Sequence, residues 1–185
     1  MRGSKGKLYI ISAPSGTGKS TVIGEILKKR DDVFFSVSAT TRQPRQGEVD
    51  GVNYLFLTKG QFEKMIKNDE FLEHAEYVGN CYGTPIKPIL ENLEKGNDVI
   101  LDIEVQGFEQ IKKKMPEAIS IFIVPPSLEA LRQRLEGRGT DSQETIARRI
   151  EQAQKELKMV GRYDHVVIND IVDKAVNEIL SIMDR

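Results

Sequence analysis

A glycine-rich segment near the start of the chain constrains the fold more than any other feature. Residues 13–21 read Ala-Pro-Ser-Gly-Thr-Gly-Lys-Ser-Thr, after the apolar run 8–11 and before apolar residues at helical spacing. This order of strand, glycine loop and helix turns backbone N–H groups towards an anion, with the positive end of the helix dipole behind them. Lys19 is placed to reach the outer phosphates of a nucleoside triphosphate, and the Ser20 hydroxyl to ligate Mg²⁺. The segment predicts a nucleotide-binding phosphate loop.

The loop departs from the usual pattern at one position. Ala13 stands where the first glycine is expected, which is tolerable where that residue keeps a negative φ. The alternative, a glycine-rich turn that binds nothing, does not explain the Lys19-Ser20 pair that follows. The residues predicted to contact ATP are Ala13, Pro14, Ser15, Gly16, Thr17, Gly18, Lys19, Ser20 and Thr21.

Composition narrows the class of protein. The chain has 185 residues, of which 39% are hydrophobic and 30% charged, and its formal net charge is −1. These values fit one globular domain and give no overall positive charge for nucleic acid or an anionic membrane. A single cysteine excludes an internal disulfide, and two histidines argue against a zinc site. We predict no nucleic-acid or membrane partner, and the sequence leaves the oligomeric state open.

The N-terminal segment does not have the pattern of a signal peptide. Only about four apolar residues follow the basic N-terminus before the phosphate loop, too few for the core of a signal peptide. No apolar run approaches the roughly 18 residues of a membrane span. We therefore predict a cytoplasmic location.

The remaining pattern predicts an α/β fold. A β-prone run at 33–38 follows the first helix, and this β-α-β order implies a parallel sheet with ligands at the carboxyl ends of the strands. A strand is predicted at 97–104, and Asp102, which follows its apolar residues 99–101, suits a second Mg²⁺ element reached through water. Thr58 with Gln61 matches a capping box. The whole predicts a P-loop NTPase-type parallel sheet flanked by helices, and two further strands are predicted at 119–124 and 164–170.

Two arginine-bearing regions are further candidates for phosphate binding. Arg42 and Arg45 flank a proline in a segment with no hydrophobic period, and two guanidinium groups on a stiff loop suit a second phosphorylated ligand. Residues 127–150 form a helix, a glycine break and a second helix, as expected of a mobile lid over phosphates. In both regions the alternative is a solvated surface arginine. The arginines of the second region are Arg134, Arg138 and Arg149.

Four segments together resemble guanylate kinase, and the match runs over essentially the whole chain. They are residues 12–20, 38–48, 101–107 and 134–139. The first alone indicates only nucleotide binding, whereas Ser-x-Thr-Thr-Arg-x-Pro-Arg-x-Gly-Glu in the second is far more specific to this family. The resemblance implies one domain over 4–184, with a core at 4–37, 88–126 and 151–184, a mainly β GMP-binding insertion at 38–87 and a helical lid at 127–150.

The resemblance implies ATP-dependent phosphorylation of GMP, and of dGMP, to the diphosphate in purine nucleotide metabolism. Guanine presents a ring N–H beside an exocyclic amine, two donors that suit a carboxylate, whereas adenine presents a ring acceptor. The family often has Asp at the position of Glu104 and Ser at that of Thr84, which are chemically similar residues. Carried over by position, the residues that bind GMP are Ser38, Arg42, Arg45, Tyr54, Glu73, Tyr82, Thr84 and Glu104.

The implied mechanism is in-line transfer without a covalent intermediate, in which positioning and charge neutralisation do the catalytic work. Asn169 would lie near the adenine, and Ser20 would hold Mg²⁺ together with Asp102, the latter through water. The implied catalytic residues are Lys19, Arg42, Arg134, Arg138 and Arg149.

Two other functions stay open at this point. A related kinase with another acceptor would keep the phosphate loop and lid but lose Glu73 or the pair of loop arginines. A non-catalytic module that binds phosphopeptides would have a degraded phosphate loop or lid, yet Lys19 and Ser20 are in place. Cys81 lies beside Tyr82, and we predict a structural or indifferent role for it rather than a redox switch.

Overall fold

The fold is described from a computed structural model, for residues 5–137, 139 and 141–184. The chain falls into two compact units, Met1–Tyr9 with Asp32–Ala118 and Ile10–Asp31 with Ile119–Arg185. None of the helices in these described ranges is both long enough and apolar enough to cross a membrane.

Strands and helices alternate along most of the chain. The strands are β1 (Leu8–Ser12), β2 (Val33–Phe35), β3 (Ala39–Thr40), β4 (Leu55–Phe56), β5 (Phe71–Tyr77), β6 (Asn80–Pro85), β7 (Asp98–Asp102), β8 (Ile119–Val124) and β9 (His165–Ile168). The helices are α1 (Lys19–Lys29), α2 (Lys59–Lys67), α3 (Ile86–Glu94), α4 (Val105–Lys114), α5 (Leu128–Glu136), α6 (Gln143–Leu157) and α7 (Val172–Met183). A 3₁₀ turn covers Val160–Arg162.

The first unit holds a parallel strand pair and a separate four-stranded sheet. β2 runs parallel to β7, and β7 also neighbours β1, since the Val99 N–H donates to the Lys7 carbonyl at 2.9 Å. The second sheet has the order β4-β3-β6-β5, with β6 antiparallel to both of its neighbours. α2 packs on this sheet through Phe62, whose ring stacks on that of Phe71 at 4.4 Å between centroids. This small aromatic core holds the hairpin β5-β6 in place.

The second unit also contains parallel strands. Its strand order is β1-β8-β9, and β8 runs parallel to β9. All five residues of β1 are buried, as expected of a strand covered on both faces. α1 and α7 pack against each other, and α5 and α6 share a buried cluster made of Leu131, Leu135, Ile146, Ile150 and Ala153. This cluster fixes the two arginine-bearing helices as one body.

The predicted α/β class, with a parallel sheet flanked by helices, is confirmed. The capping box is also confirmed, because the Thr58 side chain accepts from the Gln61 N–H and the Gln61 side-chain oxygen accepts from the Thr58 N–H at 2.8 Å. The division into core, insertion and lid stays a prediction.

An asparagine, a glycine and a proline within residues 80–85 predict a turn from the sequence alone, and this prediction is wrong. These residues form β6, and the turn lies just before it, where Val78 and Gly79 have φ values of 49° and 73°. Gly83 serves packing rather than chain reversal, since a Cβ there would lie 2.9 Å from a ring carbon of Phe71. A glycine, a proline and an asparagine therefore mimic a turn in a segment that is a strand.

Candidate active site

The phosphate loop, residues 13–18, joins β1 to α1 in the second unit. Gly16 and Gly18 have φ values of 89° and 93°, a region that favours glycine. A Cβ on Gly16 would lie 2.7 Å from a methyl carbon of Leu135, and one on Gly18 would lie 2.8 Å from Nδ2 of Asn169. The two glycines are required both by the backbone conformation and by the side chains packed against the loop.

The start of α1 is suited to an anion. Its N-cap is Gly18, and no acidic residue lies in its first turn. The first N–H groups of a helix lack acceptors within the helix, and the helix dipole favours negative charge there. Lys19 and Ser20 open this turn, with Lys19 half-buried and Ser20 exposed. The described geometry is that of a phosphate cradle backed by a cation and a hydroxyl.

The Thr17 carbonyl is held by two side chains from distant parts of the chain. Nδ2 of Asn169 donates to it at 2.7 Å, and Nη1 of Arg134 at 3.3 Å. Nη2 of Arg134 also donates to the Asn169 carbonyl at 2.8 Å. In a trans peptide the C=O and the next N–H point in opposite directions, so fixing this carbonyl orients the Gly18 N–H. Asn169 therefore lies against the phosphate loop, and its contact with adenine stays a prediction.

Arg149 reaches the phosphate loop from α6. Its Nη2 donates to the Ser15 hydroxyl at 2.6 Å, and its Nη1 forms an ion pair with Asp141. The sequence interpretation missed Asp141. An acidic residue just before a helix, with an arginine eight residues later, is only a weak signal for such a pair. Arg134 and Arg149 thus both meet the loop, whereas the predicted site residue Arg138 lies outside the described residues.

The first unit brings the predicted guanine-binding residues together. Glu73 on β5 lies directly opposite Thr84 on β6, and the Thr84 hydroxyl donates to Oε1 of Glu73 at 2.7 Å. Glu73 is 9% exposed and Thr84 1% exposed. Burial raises the pKa of Glu73, the Thr84 hydrogen bond opposes that rise, and the charge of Glu104 adds to it. Glu104 itself is exposed and precedes α4.

The phosphate-binding candidates of the first unit form an arginine and tyrosine cluster. The Arg42 guanidinium lies 5.3 Å from the centroid of the Tyr54 ring, and that ring meets the Tyr82 ring edge-on at 6.2 Å. Burial raises the pKa of Tyr54, so its hydroxyl stays protonated and able to donate. The Ser38 carbonyl accepts from the Leu55 N–H at 2.9 Å. The side chain of Arg45, the remaining candidate, is exposed.

The candidate metal ligands have suitable chemistry. Asp102 ends β7 and is half-buried, and Ser20 supplies an exposed hydroxyl. Carboxylate and hydroxyl oxygens are ligands that Mg²⁺ accepts while it keeps several waters and phosphate oxygens. Within the described ranges, no group of three or more histidine, cysteine, aspartate or glutamate residues could hold a metal ion. Ser20 and Asp102 each offer an oxygen of a kind that Mg²⁺ accepts, and their role as metal ligands stays a prediction.

Comparison with known proteins decides the family. Residues 5–185 match the family profile described as "Guanylate kinase". A curated guanylate kinase from Carboxydothermus hydrogenoformans is 49% identical over 179 residues, which cover 97% of this chain and 88% of that protein. The chain belongs to the guanylate kinase family.

Solved structures agree with this membership. The guanylate kinase from Anaplasma phagocytophilum matches with a TM-score of 0.78 and 34% identity, over 98% of this chain and 86% of that one. A shikimate kinase from Bacteroides thetaiotaomicron matches over 97% of this chain and 99% of that one, with a TM-score of 0.53 and 12% identity. The second likeness shows the fold alone.

Gly107 lies beside the predicted guanine-binding residue Glu73, and the sequence interpretation did not single it out. A Cβ on Gly107 would lie 2.9 Å from Oε2 of Glu73. We expect Gly107→Ala to displace the carboxylate and raise the KM for the guanine nucleotide about tenfold, because small displacements of binding groups have large effects. Steady-state kinetics measures this. The matched control is Gly60→Ala, since a Cβ on that helical glycine has no neighbour within 4 Å; equal KM values in the two variants would contradict the expectation.

Proposed function

We propose that the chain transfers the γ-phosphoryl group of ATP to GMP and to dGMP, giving ADP and the guanosine diphosphate. The observation that carries this proposal is the buried pair of Glu73 and Thr84, whose carboxylate is suited to guanine. Oε1 accepts from Thr84, and the carboxylate retains acceptor capacity for the ring N–H and the exocyclic amine of guanine. Adenine presents an acceptor at the same ring position, and two acceptors facing each other repel.

The phosphate end of GMP binds to the arginine and tyrosine cluster in this proposal. Arg42 and Arg45 supply charge-assisted donors, Tyr54 and Tyr82 supply phenolic hydroxyls, and Ser38 supplies a further hydroxyl. Guanidinium groups bind phosphate oxygens in a fork, which fixes the orientation of the acceptor as well as its charge. The second phosphate-binding set, around α1, takes ATP.

The chain's residues act by positioning and by neutralising charge. Backbone N–H groups of the phosphate loop and the Lys19 ammonium hold the donor phosphates, and Arg134, Arg138 and Arg149 stabilise the charge on the transferring group. A phosphate oxygen of GMP attacks the γ-phosphorus in line while the bond to the leaving ADP oxygen breaks. A phosphate monoester is ionised at neutral pH, so little help from a general base is needed.

Ser20 and, through water, Asp102 would hold Mg²⁺, which supplies Lewis-acid stabilisation of the phosphate charge when it is bound. The core, insertion and lid boundaries, the cytoplasmic location and the absence of nucleic-acid partners remain predictions from the sequence.

The test is ADP formation from MgATP with GMP, dGMP, AMP, CMP or UMP offered separately, and with a control that lacks an acceptor. We expect turnover with the two guanine nucleotides only. Comparable turnover with AMP would contradict the guanine assignment. No turnover with any acceptor, combined with tight GMP or phosphopeptide binding, would instead support the non-catalytic module.

A further inference from the structure

We propose that Glu48 is a positioning residue for GMP binding, which holds the Arg42 guanidinium and the Arg45 backbone in the arrangement that receives the GMP phosphate. The proposal rests on the proposed function, because it takes Arg42 to be a ligand of that phosphate. Glu48 was not among the residues predicted to bind a ligand.

The contacts of Glu48 join the two arginine positions. Its Oε1 accepts from Nη2 of Arg42 at 2.8 Å, and its Oε2 accepts from Nη1 of Arg42 at 2.9 Å. Oε2 also accepts from the Arg45 N–H at 2.7 Å. The Glu48 N–H returns a bond to the Arg45 carbonyl at 3.0 Å, across a turn in which Gly47 has a φ of 86°. One carboxylate therefore fixes both the head group of Arg42 and the turn that carries Arg45.

The ion pair leaves one edge of Arg42 for a ligand. A guanidinium offers one fork through its two terminal nitrogens and another through Nε and a terminal nitrogen. Glu48 occupies the terminal fork, and Nη1 also donates to the Gln43 carbonyl at 2.7 Å. The Arg42 plane is steadied by the rings of Tyr54 and Phe56, at 5.3 and 5.8 Å from its central carbon. Arg42 also interacts with the Tyr82 side chain, so the fork that includes Nε and the Tyr82 hydroxyl are the groups that a phosphate can take beside the ion pair.

The pair is sheltered enough to hold this geometry. The Arg42 and Glu48 side chains are 14% and 19% exposed, whereas both side chains of the helix ion pair Arg148–Glu144 are 77% exposed. Hydrogen bonding from Arg42 lowers the pKa of Glu48, so the carboxylate stays ionised throughout the neutral range. A forked pair of this kind orders a side chain that otherwise has several rotatable bonds, and a binding group that is ordered in advance loses less entropy on binding.

The test compares Glu48→Gln and Glu48→Ala with the wild-type chain. The amide in Glu48→Gln keeps one acceptor but turns an NH₂ group towards an Arg42 or Arg45 N–H, so it breaks one arm of the fork. We expect the KM for GMP to rise about tenfold in Glu48→Gln and about 10²-fold in Glu48→Ala, because misplacement of a binding group by about 1 Å has effects of this size. The KM for ATP should change less than twofold.

Two further measurements separate positioning from general loss of structure. Guanosine lacks the phosphate, so its inhibition constant against GMP should be the same for the wild-type chain and for Glu48→Gln. In an Arg42→Ala background, Glu48→Gln should raise the KM for GMP by a smaller factor than it does in the wild-type chain, because only the bond from Glu48 to the Arg45 turn is left to lose. Glu91→Gln is the matched control in the same unit, as Glu91 is exposed and lies 4.0 Å from Lys87.

Three outcomes separate the positioning role of Glu48 from a structural role and from the proposed function. An unchanged KM for GMP in both Glu48 variants, with normal wild-type turnover, would overturn the positioning role and leave the proposed function intact. Equal weakening of GMP and guanosine would overturn it as well, since it would show a structural role. A wild-type chain that does not phosphorylate GMP would instead overturn the proposed function and with it this inference.

Discussion

Lys19→Ala is expected to lower turnover of ATP and GMP about 10³-fold, because it removes the cation that the proposed mechanism places against the charge developing on the transferring phosphoryl group. Lys19 opens α1 directly after the phosphate loop, and it is not one of the buried hydrophobic residues of the core. The fold should therefore survive the substitution. Single-turnover and steady-state rates measure the loss, and circular dichroism and thermal melting check the fold.

The matched control for this prediction is Lys28→Ala. Lys28 lies near the end of the same helix and pairs with Glu25 at 2.6 Å, with a side chain that is 71% exposed. Its removal should change turnover less than twofold, since exposed ion pairs contribute little. Near-normal turnover in Lys19→Ala would refute the assigned role of the phosphate loop.

Glu73→Gln is expected to lower kcat/KM for GMP about 10³-fold, because two hydrogen bonds from guanine to a charged acceptor are lost. The glutamine carbonyl can still accept from Thr84, but its NH₂ group then faces the donors of guanine. Kinetics with GMP measures the effect. Glu76→Gln, an exposed position on the same strand, is the control. A loss of less than tenfold in Glu73→Gln would contradict guanine recognition by this carboxylate.

Glu73→Gln is expected to raise the stability of the fold at neutral pH although it lowers activity. Burial raises the pKa of Glu73 above its ordinary value of 4.5, so the folded state binds this proton more tightly than the unfolded state does. Ionised Glu73 therefore lowers the free energy of unfolding at neutral pH, and this penalty disappears as the pH falls below 4.5. We expect Glu73→Gln to be more stable than wild type at pH 7, with a gain that shrinks on acidification. Urea melts at several pH values test this, and a gain that grows on acidification would contradict it.

The sequence predicted the regular parts of the fold because their local signals agree. The phosphate loop, the capping box at Thr58 and the continuous apolar strands each follow from residue type and spacing. The hairpin β5-β6 was harder, because Gly83 and Pro85 resemble turn residues. Gly83 leaves room for the Phe71 ring of the neighbouring strand, and this contact between two strands is not visible in the local residue types.

Some residues of the candidate site could likewise be predicted from the sequence, and others could not. Residues with a proposed role towards a ligand, such as Glu73 and Arg42, could be named from motifs. Residues that pair with them, such as Asp141 beside Arg149 and Glu48 beside Arg42, carry no motif signal of their own. Gly107 is similar, since its role is the absence of a side chain near Glu73.

The Thr17 carbonyl of the predicted phosphate loop is held by side chains that are synthesised much later than the loop itself. Its two side-chain donors, on Arg134 and Asn169, lie 117 and 152 residues away along the sequence. A ribosome-bound chain that ends before Asn169 has the whole glycine motif but only one of these donors. The shape of the loop thus depends on contacts of high sequence separation, which form late because closing a long loop costs entropy first. The predicted phosphate loop therefore has both donors to its Thr17 carbonyl only when most of the polypeptide has been made.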